Sequence, residues 1–156
     1  MTDVQTREPM ELIEVVNAAR RRGQVALDAE SQLDSRLGTG NRLAVYGSLA
    51  PGRQNHHIVA PLGGTWVDGV VEGDLTTCGW GAAIGYPALR LRSGGPPVPV
   101  HVLTSALLQR AWPELDAFEG AEYRRVLVPV WSTGTAGERA LLTIANLYEA
   151  AEESTL

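Results

Sequence analysis

A chain of 156 residues has the length of one domain around a single core, which leaves no second catalytic domain to look for. Thirteen basic against eighteen acidic residues give a formal charge of -5; the one sizeable basic cluster is Arg20-Arg21-Arg22, so no phosphate-neutralising surface is expected and nucleic acid is not an expected partner. All thirteen basic residues are arginine, and without lysine the chain cannot itself supply the amine of Schiff-base or pyridoxal-phosphate chemistry, of a Ser-Lys hydrolase or of a Walker A loop.

The first residues, Met1 to Glu8, lack the basic-then-apolar layout of a signal peptide, and no apolar run approaches the roughly 20 residues that cross a bilayer. A cytoplasmic protein with no membrane partner is expected. Residues 9–22 read as an amphipathic helix: Pro9 suits a first helical position, Glu11 and Glu14 sit near the positive end, Arg20 to Arg22 near the negative end, and Gly23 ends it. Leu12, Val15, Val16 and Ala19 form its apolar stripe. A second helix over 24–37 spaces Val25, Ala29, Leu33 and Leu37 by four before Gly38-Thr39-Gly40-Asn41 breaks it. We therefore place a helical extension at 1–40 and the main domain at 41–156. The narrow apolar stripes need cover, either from the core or from a second chain, so a homodimer through these helices is one expectation. Arg20 to Arg22 read as charge compensation of a helix end or as a docking patch.

From Arg42 the pattern turns to short strands punctuated by Gly and Pro, at 42–48, 65–77, 87–92, 97–103, 123–131 and 138–148. Asp68-Gly69 and Glu72-Gly73 resemble turn or bulge sites that would divide the second of these. Thr104 or Ser105 can cap a helix over 106–111, which Trp112-Pro113 restarts and carries to Phe118-Glu119.

Two segments carry candidate chemistry. In Tyr46-Gly47-Ser48-Leu49-Ala50-Pro51-Gly52 an apolar strand leaves its sheet in a sharp turn, and N–H groups released from a ladder can converge on an anionic oxygen. The same segment also reads as an ordinary strand-to-loop turn. In the run Leu115-Asp116-Ala117-Phe118-Glu119-Gly120-Ala121-Glu122-Tyr123-Arg124-Arg125, Leu115 and Phe118 share a helix face, so Glu119 stands at the edge of the core, where desolvation raises a carboxyl pKa. On local pattern alone it also reads as a solvated helix-end glutamate like Glu122.

Other groups are poorer candidates. His56-His57 are adjacent and His101 is remote, without the spacing of a zinc site. Ser48 is not in a Gly-x-Ser-x-Gly elbow. The single cysteine, Cys78, reads as a small buried apolar residue. Residues 79–87 are glycine-rich without phosphate-loop spacing, and read as a pocket rim with Trp80 or Tyr86 as contacts, or as core packing.

Taken together, the Tyr-Gly-Ser turn and the Asp-x-Phe-Glu-Gly-x-x-Tyr-x-Arg string resemble the γ-glutamylcyclotransferase-like superfamily, in its γ-glutamylamine cyclotransferase and AIG2-like branches, over roughly residues 42 to 149. The resemblance implies an α+β fold, a small mixed β-barrel with flanking helices, to which this chain adds its N-terminal helical extension. It puts Glu119 on the catalytic glutamate, Tyr46, Gly47, Ser48 and Leu49 on the substrate-cradling loop, and Tyr123 on a site tyrosine. The implied reaction converts a small γ-glutamyl amine or peptide into 5-oxoproline and a free amine, with no cofactor and no metal. The alternatives are a small-ligand-binding or interaction module without turnover on the same fold, and an amide hydrolase with a non-glutamyl substrate.

Overall fold

The computed structural model describes residues 2–76, 88–133 and 139–151, with side chains from Glu8 onward. Helix α1 spans Thr2–Arg21 and α2 spans Leu27–Leu37. The first helix starts well before Pro9, which lies inside it; a proline there forgoes one backbone bond without ending the helix. Gly23, at φ 73°, closes α1 in a Schellman motif, its own N–H reaching the Arg20 carbonyl at 3.0 Å and that of Gln24 the Ala19 carbonyl at 2.8 Å. Gly38 ends α2 in the same left-handed region, with its N–H on the Asp34 carbonyl.

The buried stripe of α1 keeps the expected Val16 and Ala19, with Leu12 packed against it, but adds Ile13 and Asn17 and leaves out Val15. Ile13, Val16, Asn17 and Ala19 are buried, whereas Val15 is 52% exposed. In α2, Ala29 and Leu33 are buried; the helix starts at Leu27, later than the expected 24, and Val25 before it is exposed. Asn17 joins the α1 stripe because its amide donates to the Leu127 carbonyl and accepts from the Leu127 N–H, both at 2.8 Å. A polar side chain thereby occupies the core-facing side by completing the edge of a strand. Around it Ile13, Val16, Ala29 and Leu33 pack on Leu127 and Ile144 of the same chain.

The strands are β1 (Arg42–Val45), β2 (Thr65–Thr76), β3 (Ala88–Leu91), β4 (Pro97–Thr104), β5 (Tyr123–Trp131) and β6 (Leu141–Ala150). Five of them close a mixed barrel in the order β2-β4-β1-β6-β5, β5 returning to β2 at Val70 and Trp131, with β3 an additional strand on β2. The β1–β6 pair is parallel and the others are antiparallel. Valines from alternate positions, among them Val98, Val100, Val102, Val128 and Val130, fill the interior with Ala145 and Leu147.

The second strand is one continuous 12-residue element, not two. Its glycines serve close approach instead of turning: a Cβ at Gly69 would lie 2.5 Å from Val130 Cγ1, and one at Gly73 2.5 Å from the Arg90 carbonyl. Gly73 also marks where β2 exchanges β4 for β3 as its partner.

Helix α3 runs unbroken from Leu108 to Glu119 through Pro113. Leu108, Trp112 and Leu115 hold both halves against Leu43, Leu103 and Tyr148, so the proline does not divide it. Ser105 Oγ accepts from the Leu107 N–H and donates to the Leu62 carbonyl, tying the entry of α3 to the barrel.

Arg21 meets Glu149 at 2.9 Å, and the glutamate side chain is only 8% exposed. Arg21→Ala leaves that carboxylate buried without its cation. We expect a loss of about 2–3 kcal/mol by denaturant titration, less than for a fully buried pair because the arginine is itself half-exposed. A midpoint unchanged in urea would show that Glu149 finds another partner.

Candidate active site

The apolar run Leu43-Ala44-Val45 is buried in β1, and the chain leaves the sheet at Tyr46, earlier than the expected 48. The turn that follows is held from behind. The Asn55 N–H donates to the Ser48 carbonyl at 2.9 Å, Asn55 Nδ2 to Ser48 Oγ at 3.0 Å, and His56 Nδ1 lies 3.0 Å from the Leu49 carbonyl. The His56 ring in turn rests against Trp66, with centroids 5.4 Å apart. The Ser48 and Leu49 carbonyls of the turn are thus engaged. Among the described residues, no backbone hydrogen bond has Gly47, Ser48 or Leu49 as its donor.

These residues wall a cavity of about 370 Å3 whose other side is the end of α3 and the start of β5: Phe118, Glu119, Gly120, Ala121, Glu122 and Tyr123. Tyr148 and Asn55 complete the described lining together with Ala44 and Val45. The residues expected from sequence, Tyr46, Gly47, Ser48, Leu49, Glu119 and Tyr123, therefore surround one space. Phe118 is 40% exposed, and faces the cavity rim instead of the core to which its spacing from Leu115 had assigned it.

Glu119 is the last residue of α3, and Gly120 ends the helix with its N–H on the Asp116 carbonyl. Desolvation pushes the Glu119 carboxyl up to about 7. Among the described residues no cation or hydrogen-bond donor offsets that desolvation, and the carbonyl-rich end of a helix also disfavours negative charge. The result is a carboxyl group that exchanges its proton near neutrality at the edge of a small cavity.

Tyr46 plays a part that its motif does not announce. Its hydroxyl donates to the Tyr148 carbonyl at 2.7 Å and accepts from the Leu89 N–H at 3.3 Å, clamping β6 to β3. Burial pushes its pKa upward, so the phenol stays protonated. Its place in the cavity wall is that of a ring and a backbone, with the hydroxyl already engaged.

Sequence reasoning passed over Asn55 and Tyr148. The Tyr148 hydroxyl donates to Asp116 Oδ1 at 2.6 Å; burial first, and then that bond, hold the phenol in its protonated form. Asp116 lies within the quoted string, yet only its distance from Tyr148 in the fold shows what it does. Trp80, Tyr86 and Cys78 lie outside the described residues. Among the described residues no group of three or more His, Cys, Asp or Glu side chains is gathered as for a metal, and no helix is long and apolar enough to cross a membrane.

The described lining holds two carboxyl groups, Glu119 and Glu122, and no basic side chain. An ammonium group is favoured beside Glu119, while a substrate carboxylate or oxyanion is left to backbone N–H groups such as those of the 47–49 turn.

Comparison with known proteins bears on the same region. The family described as gamma-glutamyl cyclotransferase, AIG2-like, matches residues 43–155. Among solved structures, an AIG2-like protein of Mus musculus is 21% identical with a TM-score of 0.56, the match covering 73% of this chain and 79% of that one. An uncharacterised protein of Pyrococcus horikoshii is 20% identical with a TM-score of 0.49, covering 72% and 79%. The allophanate hydrolase of Kluyveromyces lactis shares 16% identity at a TM-score of 0.50, over 72% of this chain and 18% of that much longer one. No curated protein matches.

Proposed function

The chain belongs to the gamma-glutamyl cyclotransferase, AIG2-like family, and on that premise we propose that it cyclises the γ-glutamyl group of a small γ-glutamyl amine or peptide to 5-oxoproline. The α-amino nitrogen of the substrate attacks its own γ-carbonyl carbon. A ring C–N bond forms, the original amide C–N bond breaks, and the amine departs. The nucleophile is part of the substrate, so holding it folded supplies much of the acceleration, with effective molarities on the order of 10⁵–10⁸ M for well-oriented groups.

The observation that carries this reading is Glu119, a carboxyl raised to about 7 by desolvation across a small cavity from a turn rich in undonated N–H groups. As the carboxylate it takes a proton from the α-ammonium, and as the acid it returns one to the departing nitrogen. The N–H groups of Gly47, Ser48 and Leu49 receive the glutamyl carboxylate or the oxygen that becomes negative during attack. Tyr123 closes the opposite wall, on the side of Glu119. A cavity of about 370 Å3 suits a glutamyl group with a small amine attached.

The test is a panel of γ-glutamyl amines and dipeptides incubated with the protein and read by mass spectrometry. We expect 5-oxoproline and the free amine in equal amounts from at least one of them. Open-chain glutamate in place of the lactam would make the protein an amide hydrolase. Saturable binding without product would make it a ligand-binding module.

A further inference from the structure

The arginine run at the end of α1 goes to three different destinations. Arg22 is exposed and contacts Gln24 of its own turn. Arg21 pairs with Glu149. Arg20 turns inward, its side chain 14% exposed, with Nε and Nη2 on the two oxygens of Glu30 at 3.3 and 2.9 Å and Nη1 on Asn146 Oδ1 at 2.8 Å.

From Asn146 the bonds continue toward the cavity. This residue is 1% exposed; its oxygen also accepts from Arg125 Nη1 at 3.2 Å, and its amide nitrogen donates to the Thr39 carbonyl at 2.9 Å. Arg125 lies over the Trp112 ring at 4.6 Å and grips both oxygens of Asp116, at 2.9 and 3.3 Å. Asp116 accepts the Tyr148 hydroxyl, and its backbone carbonyl receives the Gly120 N–H. At one end of this series is α1; at the other are a wall of the cavity and the turn that bears Glu119.

Packing alone does not fix that turn. Leu115 is the last buried residue of α3, and none from Asp116 to Glu122 is buried. On its far side the chain is tied by the Tyr123 N–H on the Gly120 carbonyl at 3.3 Å and the Ala151 N–H on the Glu122 carbonyl at 2.9 Å; on the helix side the bonds of Asp116 hold it.

We propose that Arg20 and Asp116 are positioning residues of the candidate site: through Asn146 and Arg125, α1 fixes the Tyr148 ring and the last turn of α3, so that Glu119 keeps its place at the cavity. The segment that precedes the family match is on this account part of the catalytic scaffold. The kinetic half of the test rests on the cyclotransferase reading, and the spectroscopic half does not.

Arg20→Ala, Arg20→Lys and Arg22→Ala are compared with the parent full-length chain. The Glu119 carboxyl is followed by 13C NMR through a pH titration, and kcat and KM are measured on whichever γ-glutamyl compound the parent cyclises. In the parent the Glu119 midpoint is expected near 7. In Arg20→Ala a loosened turn admits water, so the midpoint should fall by at least one pH unit. A misplaced base should lower kcat about tenfold or more with KM within about twofold. Arg20→Lys, which keeps a donor and a charge, should recover part of both, and Arg22→Ala should match the parent. Should Arg20→Ala lose its cooperative melt, Arg20→Met, which keeps the aliphatic stem and has no donor toward Asn146, is judged by the same criteria. A parent-like midpoint and kcat in the Arg20 variant that lacks a donor overturn the proposal, as does an equal change in Arg22→Ala. Absence of turnover in the parent removes the cyclotransferase reading, and the titration still decides the positioning role.

Discussion

Glu119→Gln is expected to lower the rate of cyclisation about 100- to 10,000-fold, the usual cost of losing a general base, while the protein becomes no less stable. The substitution preserves size and hydrogen-bonding shape but cannot accept a proton. Two pH dependences separate this from a structural effect. First, the parent kcat/KM should rise about tenfold per unit up to a pH near 7, where Glu119 ionises, and level off above it; the variant should lack that limb. Second, the folded-state pKa of Glu119 is raised from 4.5 to about 7, so between those values the folded chain holds a proton that the unfolded chain has lost. Its contribution to stability is full below pH 4.5 and disappears as pH rises through 7. Glutamine carries no such penalty, so Glu119→Gln should melt with the parent at pH 4 and above it at pH 8. Glu114→Gln, exposed on the same helix, is the control for both assays. A folded Glu119→Gln protein that cyclises a verified substrate at nearly the parent rate would falsify the assignment.

The strands, and the residues that line the candidate cavity, were legible because the strand patterns and the motifs that carry the family resemblance are local. Alternating valines in 97–103 and 123–131 declare strands, and the Tyr-Gly-Ser turn and the Asp-x-Phe-Glu-Gly string each lie within a dozen residues. What could not be read depends on residues far apart in sequence. Tyr148 sits in a buried strand whose pattern says only that it faces inward or outward; its meeting with Asp116, 32 positions earlier, is a property of the closed barrel. On α1 the expected stripe missed Asn17, a polar residue that belongs to the buried side because its partner is a backbone 110 residues away, and wrongly included Val15. Gly69 and Gly73 look like turn residues locally, and the reason for them is the backbone and the valine of neighbouring strands. Arg20, Arg21 and Arg22 form one uniform run in sequence, yet the helix twist points them at three different partners.

Removing residues 1–38 is expected to lower the melting temperature by roughly 10–30 °C, although every residue that lines the candidate cavity lies beyond Arg42. Taking away α1 and α2 uncovers Leu127 and Ile144, which are 2% and 0% exposed in the full chain, at about 1.5–3 kcal/mol each. The free edge of β5 also loses the Asn17 amide that occupies it. The ordering entropy of residues 1–38, which opposes folding only in the full chain, is balanced there by the burial of the segment's own Ile13, Val16, Ala29 and Leu33. A loss of about 3–6 kcal/mol is a large part of the 5–15 kcal/mol that an ordinary domain has, and a domain of this size shifts by a few degrees for each kcal/mol. The uncovered apolar face should also drive association, so light scattering should show larger species in the truncated protein than in the parent. Changing Leu127 and Ile144 to threonine in the truncated chain should reduce that association. It should not restore activity, since Arg20 and its bond to Asn146 are gone. A truncated chain that melts with the parent, stays at the parent's association state and cyclises at the parent's rate would mean that α1 and α2 are a detachable extension after all, and would sink both the stability argument and the positioning role of Arg20.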